Sequence, residues 1–131
     1  MSHETLVRVY YEDTDMGGIV YYANYLKYIE RGRSELVEAL GMNQIEMRDV
    51  AGIVFVVTRV VADYLAPARL DDRLVVHTAH RAQSAVRWVF DQEVRRGAQV
   101  LFRAEVTAVC MTLDGRPTRL PAALRGARSS G

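Results

Sequence analysis

The feature that most restricts the fold of this chain is a single change in its hydrophobic period. From about Tyr22 to Leu40 the apolar residues recur at the spacing of one helix face, which includes Tyr25, Ile29 and Leu36. Gly41 follows as a plausible helix terminator. The pattern predicts one long helix near the start of the chain, and no other stretch predicts a helix of comparable length.

Most of the remaining chain is predicted to form strands. Leu6 to Tyr11 is β-branched and aromatic, which is typical of a strand, and Met42 to Ala51 is amphipathic enough for a short second helix. Beyond Gly52, apolar runs alternate with turn signals. These runs predict long strands at Ile53–Ala66, Arg73–Arg81, Ala85–Arg95 and Ala98–Leu113, and a short last strand at Arg116–Pro121.

This order of elements leaves few possible architectures. One helix cannot cover both faces of such a sheet, so we expect an α+β fold in which an antiparallel sheet wraps around the helix and self-association covers the rest. Pairing of edge strands across a two-fold axis would protect a long exposed edge. Gly32, inside the helix, costs about 1 kcal/mol relative to alanine, which suggests that another backbone approaches it closely. We expect one domain over residues 1–121 and a disordered tail over 122–131.

Composition and charge argue against several classes of protein. The chain has 131 residues and a net charge of +1, so no strong field attracts nucleic acid or an acidic membrane. No apolar run approaches the ~20 residues of a membrane span, and the N-terminus does not resemble a signal peptide. Cys110 is the single cysteine, and it is expected to be a small buried residue rather than half of a disulfide. We therefore expect a cytoplasmic protein.

The densest chemical information lies in the loop before the long helix. Glu12 to Asp15 is acidic, and two glycines follow before the helix starts near Tyr22. The first turn of a helix presents unpaired N–H groups and a partial positive charge, which would stabilise a carbonyl oxygen that gains negative charge. A carboxylate beside that oxygen could attack the carbonyl or activate water. The loop and the helix start could thus supply two parts of an acyl-transfer site.

Spacing alone leaves other interpretations of this loop open. Acidic residues before a helix are commonly caps or solvated turn residues. Asp13 and Asp15 match the first two positions of a calcium loop, but the expected glycine and distant glutamate do not follow. The tyrosines of the loop could be plain core or interface aromatics. On the residues alone, the loop does not establish an enzyme.

A resemblance to a known family adds to this interpretation. Val7 to Glu35, with the sequence VRVYYEDTDMGGIVYYANYLKYIERGRSE, resembles the signature of the 4-hydroxybenzoyl-CoA thioesterase family. It is most similar to the Tol-Pal-associated acyl-CoA thioesterase branch, whose second characteristic segment resembles Tyr64 to Asp72, YLAPARLDD. The resemblance implies a hotdog fold, in which a curved antiparallel sheet wraps around one long central helix. It also implies homodimers, often paired into homotetramers, with active sites at the subunit interface.

Carried over residue by residue, the resemblance implies roles for individual positions. The catalytic aspartate falls on Asp15 and not on Asp13, for which we expect a structural role. The oxyanion donor falls on the backbone N–H of Tyr22. The neighbouring residues expected to contact the substrate are Gly18, Val20, Tyr21 and Asn24.

Two departures from the family pattern concern substrate binding. Many members of the Tol-Pal branch carry histidine at the position of Tyr22, whereas the aromatic-thioesterase branch has tyrosine; a backbone donor survives that exchange. The basic cluster that holds CoA phosphates in some relatives falls near residues 84–86, which are not basic here. Arg81 and Arg87 flank this stretch and are the candidate phosphate-binding residues. The alternative is that both are ordinary exposed strand arginines.

The leading hypothesis is hydrolysis of a small-to-medium acyl-CoA, or of an acyl-carrier protein thioester, with Asp15 as nucleophile or general base. This reaction requires no metal and no redox cofactor. A hotdog hydratase or dehydratase is one alternative, but such enzymes usually pair a histidine with a carboxylate. None of the three histidines lies in the motif; they are His3, His77 and His80. A non-catalytic protein that binds acyl ligands is a second alternative.

Overall fold

The computed structural model describes residues 2–125 as a sheet packed on one long helix. The elements, in chain order, are β1 Ser2–Arg8, α1 Asn24–Ala39, α2 Gln44–Glu46, β2 Ile53–Tyr64, β3 Arg73–Ala82, β4 Arg87–Arg96, β5 Gln99–Thr112 and α3 Ala122–Arg125. The strands form one antiparallel sheet in the order β1-β3-β4-β5-β2. Helix α1 packs against β1, β3 and β4. This is the α+β arrangement that the sequence predicts.

The core lies between α1 and the concave side of the sheet. Alternate residues of β3 are buried, as expected for a strand with one covered face. The buried side of α1 repeats at helical spacing and consists of Tyr25, Tyr28, Ile29, Gly32, Leu36 and Val37. Cys110 is buried in the same core, which raises the pKa of its thiol. The sequence prediction for this cysteine is therefore confirmed.

Gly32 lies where α1 comes closest to the sheet. A Cβ at this position would lie 2.8 Å from both Thr78 Oγ1 and Val76 Cγ1, and 3.1 Å from Gln92 Nε2. Gln92 Nε2 also donates to the carbonyl oxygen of Ile29 at 2.8 Å and to Thr78 Oγ1 at 3.0 Å. The sequence suggested that another backbone approaches Gly32; the structure corrects this, because side chains of two strands make the approach.

Strand β2 is a long edge of the sheet with little cover. It pairs with β5 alone among the described strands, and most of its residues are exposed. The exposed apolar side chains along it include Val56, Val57, Val60 and Val61. Unpaired strand edges of this length and hydrophobicity attract another strand. The fold of one chain therefore leaves an apolar edge open for pairing.

The chain after β5 differs most from the sequence prediction. The expected strand Arg116–Pro121 is reduced to one bridge between Met111 and Pro117. The sequence predicted a disordered tail from residue 122, whereas Ala122–Arg125 form α3 and Leu124 is fully buried. Burial of the apolar Leu124 side chain holds this helical turn against the core. Residues 126–131 of that prediction lie outside the described residues.

The helical segments also differ in detail. The short second helix predicted at Met42–Ala51 divides into α2 and a π-helical turn at Met47–Ala51, which Gly52 ends with a φ of 67°. Between residues 2 and 125, no helix is both long and apolar enough to cross a membrane.

Candidate active site

The acidic loop between β1 and α1 folds into a small hairpin that presents Asp15. The Asp15 N–H donates to the carbonyl oxygen of Ile19 at 2.9 Å, and the Gly18 N–H donates to the Asp15 carbonyl at 3.0 Å. Gly18 closes this turn with a φ of 76°, which favours glycine. Thr14 and Val20 form a β-bridge at the base of the hairpin. The glycine therefore gives Asp15 a defined place at the tip.

The part of the chain that the structure describes holds the carboxylate of Asp15 through one oxygen. Its Oδ1 accepts the N–H of Gly17 at 2.9 Å, and the residue is exposed. Within residues 2–125, Oδ2 has no hydrogen-bond partner. A carboxylate that is oriented through one oxygen and free at the other can serve as nucleophile or base.

Asp13 has a different role, which its contacts define. Its Oδ2 accepts the N–H of Tyr10 at 2.9 Å. Its carbonyl oxygen accepts the Tyr21 N–H and the Asn24 side-chain amide, each at 2.9 Å. These bonds tie the loop to the first residues of α1. Asp13 and Asn24 thus hold the frame of the site, in agreement with the structural role expected for Asp13.

The start of α1 presents unpaired backbone donors. Tyr22 and Ala23 form a turn before the helix, and Ala23 provides no side-chain cap. In the part of the chain that the structure describes, neither of their N–H groups has an acceptor. Such groups at a helix start are suited to an oxygen that carries negative charge. The donor predicted at Tyr22 is therefore available.

Aromatic rings border this helix start. The rings of Tyr21 and Tyr22 lie 4.9 Å apart, and that of Tyr64 lies 6.1 Å from Tyr22. The neighbouring Tyr22 hydroxyl raises the pKa of the Tyr21 phenol, and the charge of Asp15 adds to this effect. The side chains of Tyr21 and Tyr22 are both exposed beside the helix start. Val20 is different, because its side chain is buried in the core and only its backbone borders the loop.

The structure does not bring the two candidate phosphate-binding arginines to this loop within one chain. The loop lies beside the start of β3, where Ile19 bridges Arg69. Arg81 lies near the other end of β3, about 26 Å from its start at the rise of an extended strand. Its guanidinium is paired with Asp91 and with Glu105, the latter at 3.2 Å. Arg87 is exposed at the beginning of β4.

Sequence reasoning missed the supports that the segment after β2 provides. The Val20 N–H donates to the carbonyl oxygen of Ala68 at 2.9 Å, and the Ala68 N–H donates to the Tyr25 hydroxyl at 3.1 Å. The Tyr64 hydroxyl donates to the carbonyl oxygen of Tyr22 at 3.1 Å. The resemblance marked this segment as characteristic, but no chemical signal in it indicated a contact with the loop.

The side chains that could hold a metal ion are dispersed. Among residues 2–125, no three His, Cys, Asp or Glu side chains converge as a metal site requires. Asp13 and Asp15, the pair with calcium-loop spacing, make separate contacts with backbone N–H groups. The carboxylates of the two aspartates are therefore each held by a backbone N–H group of the loop.

Comparisons with known proteins identify the family of this chain. The sequence pattern of the thioesterase-like superfamily matches residues 9–127. The acyl-CoA thioesterase YbgC of Haemophilus influenzae is 37% identical over 122 residues, which cover 92% of this chain and 90% of that protein. The acyl-CoA thioester hydrolase YbgC of Escherichia coli O157:H7 is 39% identical over 117 residues, or 88% and 87% of the two chains.

A solved structure shares the fold. The crystal structure of a probable thioesterase from Bartonella henselae superposes with a TM-score of 0.87 at 34% identity, and the match covers 92% of this chain and 100% of that one. The hotdog fold and the family resemblance are thereby confirmed, as is the class of enzyme that the resemblance implies, a thioester hydrolase. The chain belongs to the thioesterase-like superfamily.

Proposed function

We propose that this protein hydrolyses the thioester of a small-to-medium acyl-CoA, with Asp15 as nucleophile or general base. The observation that carries the proposal is the pairing of two features in one loop. Among residues 2–125, one carboxylate oxygen of Asp15 has no hydrogen-bond partner, and the same loop leads into the N–H groups of Tyr22 and Ala23, which have no acceptor there. Hydrolysis of a thioester requires both a nucleophile or base and a site for the carbonyl oxygen.

The roles of these groups follow from the reaction. In the proposed pose, the thioester carbonyl oxygen faces the start of α1, where the N–H groups and the helix dipole stabilise the charge that it gains. In one route Asp15 attacks the carbonyl carbon, the C–S bond breaks to release the CoA thiolate, and water then hydrolyses the acyl–Asp15 anhydride and supplies the proton of the thiol. In the other route Asp15 takes a proton from a water that attacks the carbonyl carbon and returns it to the departing thiolate. Both routes yield the free acid and the CoA thiol. Neither route needs a metal or a redox cofactor. Gly18 allows the substrate to approach the backbone, and Asn24 supports the helix start through its bond to Asp13.

The names of the relatives support the proposed substrate class. The relatives from Haemophilus influenzae and Escherichia coli are named as an acyl-CoA thioesterase and an acyl-CoA thioester hydrolase. Another, from Arabidopsis thaliana, is named as an acyl-acyl carrier protein thioesterase and is 31% identical over 125 residues, which are 66% of its length. We propose acyl-CoA as the substrate and acyl-carrier protein thioesters as a second substrate. A Tol-Pal association and a cytoplasmic location stay predictions.

We also propose that the active unit is a homodimer or homotetramer with sites at the subunit interface. The open edge of β2 and the exposed Tyr22 support this assembly. A second chain would also offer Arg81 and Arg87 from the far end of its own sheet. Arg87 is the better candidate for a phosphate, because Arg81 is already paired with two carboxylates.

Release of free thiol from a panel of acyl-CoAs tests the activity. The hydratase alternative predicts hydration of an enoyl-CoA without thiol release, and a binding protein predicts neither reaction. Asp15→Asn tests the mechanism, because it keeps the shape of the side chain and removes both its basicity and its nucleophilicity. We expect kcat to fall by several orders of magnitude.

Asp13→Asn is the matched control, since it makes the same chemical change two residues away. It should lower kcat far less and weaken the bond to the Tyr10 N–H. Circular dichroism checks that both variants fold. If folded Asp15→Asn turns over near the wild-type rate, Asp15 is only a turn residue, because asparagine serves well in turns and caps.

A further inference from the structure

The end of β2 reaches back to the start of α1 through one side-chain hydrogen bond. The Tyr64 hydroxyl donates to the carbonyl oxygen of Tyr22 at 3.1 Å. That carbonyl and the N–H of Ala23 belong to the same peptide group. In a planar trans peptide the C=O and N–H point in opposite directions, so a donor that holds the carbonyl also fixes the direction of the N–H.

The preceding peptide group is held in the same way. The carbonyl oxygen of Tyr21 accepts the N–H of Asn24 at 2.8 Å, which fixes the direction of the Tyr22 N–H. The carbonyl oxygens of Tyr21 and Tyr22 therefore each accept a hydrogen bond from the protein, while the N–H groups of Tyr22 and Ala23 lack an acceptor among residues 2–125. Two neighbouring donors with fixed directions are what a developing oxyanion requires.

The core, and not the loop, sets the position of the Tyr64 hydroxyl. Its ring lies edge-on to that of Phe102 at 5.0 Å and to that of Tyr25 at 5.6 Å, and both of these rings are buried. The backbone N–H groups of the next two residues, Leu65 and Ala66, both donate to the carbonyl oxygen of Leu101. Tyr64 thus connects the packed core of the sheet to the backbone at the start of α1.

Burial does not require this hydrogen bond. Tyr64 is about half exposed (48%), so its hydroxyl could be satisfied by water at little cost. The bond to Tyr22 instead orders a turn that has no side-chain cap. A tyrosine is needed there for its length and hydroxyl, whereas phenylalanine would satisfy the ring contacts equally well.

We propose that Tyr64 is a positioning residue for thioester hydrolysis. Through its bond to the Tyr22 carbonyl, it holds the N–H groups of Tyr22 and Ala23 as a paired oxyanion site. The proposal rests on the proposed function, since the reaction supplies the oxyanion. It adds Ala23 as a second backbone donor and gives the segment that begins at Tyr64 a role in the chemistry.

Tyr64→Phe tests this role, because it keeps the ring contacts and removes only the hydroxyl. The loss of one net hydrogen bond that acts in the transition state should lower kcat about tenfold. KM and the urea midpoint of unfolding should stay near their wild-type values. Tyr11→Phe is the matched control: it makes the same change on an exposed ring of the loop that carries Asp15 and should leave kcat unchanged.

Two results would overturn the proposal. One is a Tyr64→Phe enzyme with wild-type kcat, and the other is a fall in kcat that a parallel loss of stability explains. If the wild-type protein releases no thiol from any acyl-CoA, the proposed function itself fails. The hydrogen bond is then judged on ¹⁵N spectra: a shift of the Ala23 amide in Tyr64→Phe, absent in Tyr11→Phe, supports the positioning role, and an unmoved amide refutes it.

Discussion

Gly32→Ala is the perturbation whose effect the structure defines most closely. In an isolated helix this change would stabilise by about 1 kcal/mol, because alanine is the better helix former. Here the new Cβ would lie 2.8 Å from Thr78 Oγ1 and Val76 Cγ1. Both neighbours are β-branched residues on a central strand, so their side chains are stiff and cannot turn away without strain.

The cost of this overlap exceeds the gain in helix propensity. Overpacking of a core by one methyl group costs about 1–3 kcal/mol. The Cβ would also press on Gln92 Nε2, which donates to Ile29 and Thr78, and a buried amide that loses a partner costs about 1–3 kcal/mol more. The two costs together are about 2–6 kcal/mol, and the gain in helix propensity offsets about 1 kcal/mol of them, so we expect a net loss of about 1–5 kcal/mol in the free energy of unfolding.

Urea unfolding at one fixed protein concentration measures this loss. The concentration must be constant because self-association would add to the apparent stability. Glu38→Ala, on the exposed side of the same helix, should change the unfolding free energy by less than about 0.5 kcal/mol. A Gly32→Ala protein as stable as the wild type would show that the sheet yields freely and that close packing is not why glycine is present.

Three further predictions concern pH, the oxyanion donor and assembly. Burial lowers the pKa of His80, whose Nδ1 accepts the Trp88 Nε1–H at 3.0 Å. The contribution of His80 to stability should be complete above pH ~6.5, the ordinary histidine pKa. It should fall at lower pH, because the imidazole then binds a proton in the unfolded chain but not in the folded chain. Urea midpoints read from the fluorescence of Trp88, the single tryptophan, should show this fall in the wild type and not in His80→Gln. Tyr22→His should hydrolyse acyl-CoA with an altered acyl preference, since its proposed donor is main-chain, and loss of activity on every wild-type substrate would assign an essential role to the ring. Light scattering should give at least a dimer for the wild type and a smaller mass for Val60→Lys, which places a charge on the β2 edge; a fully active wild-type monomer would contradict the shared site.

Local sequence signals predicted the elements well and their contacts poorly. Apolar spacing located α1 to within two residues at its start, and β-branched runs located β2 through β5. The partner of Gly32 could not be predicted, because it depends on which strands the topology brings beneath the helix. The partners of Arg81 could not be predicted for the same reason. Asp91 and Glu105 become its neighbours only through the register of β3, β4 and β5.

In the candidate site too, the sequence predicted local features better than contacts between distant residues. Asp15, Gly18 and the helix start lie within one continuous motif, so a local pattern could indicate them. Tyr64 lies 42 residues beyond Tyr22 in sequence, and nothing in its immediate neighbours indicates a bond to the loop. Sequence reasoning therefore indicated the candidate reacting groups but missed Tyr64, whose hydroxyl bonds to the start of α1.

The strand order also dictates when the site can exist as the chain folds. β1 precedes the other strands of the described sheet in the chain, yet its only partner in that sheet is β3, whose residue Ala79 pairs with Ser2. The loop that carries Asp15 therefore lies early in the chain, but the residues that support it lie much later in the sequence. Contacts of such long sequence separation form slowly, since a large loop must close first. Activity should therefore appear late in refolding, after the β3–β4–β5 meander has formed and β1 has docked onto it.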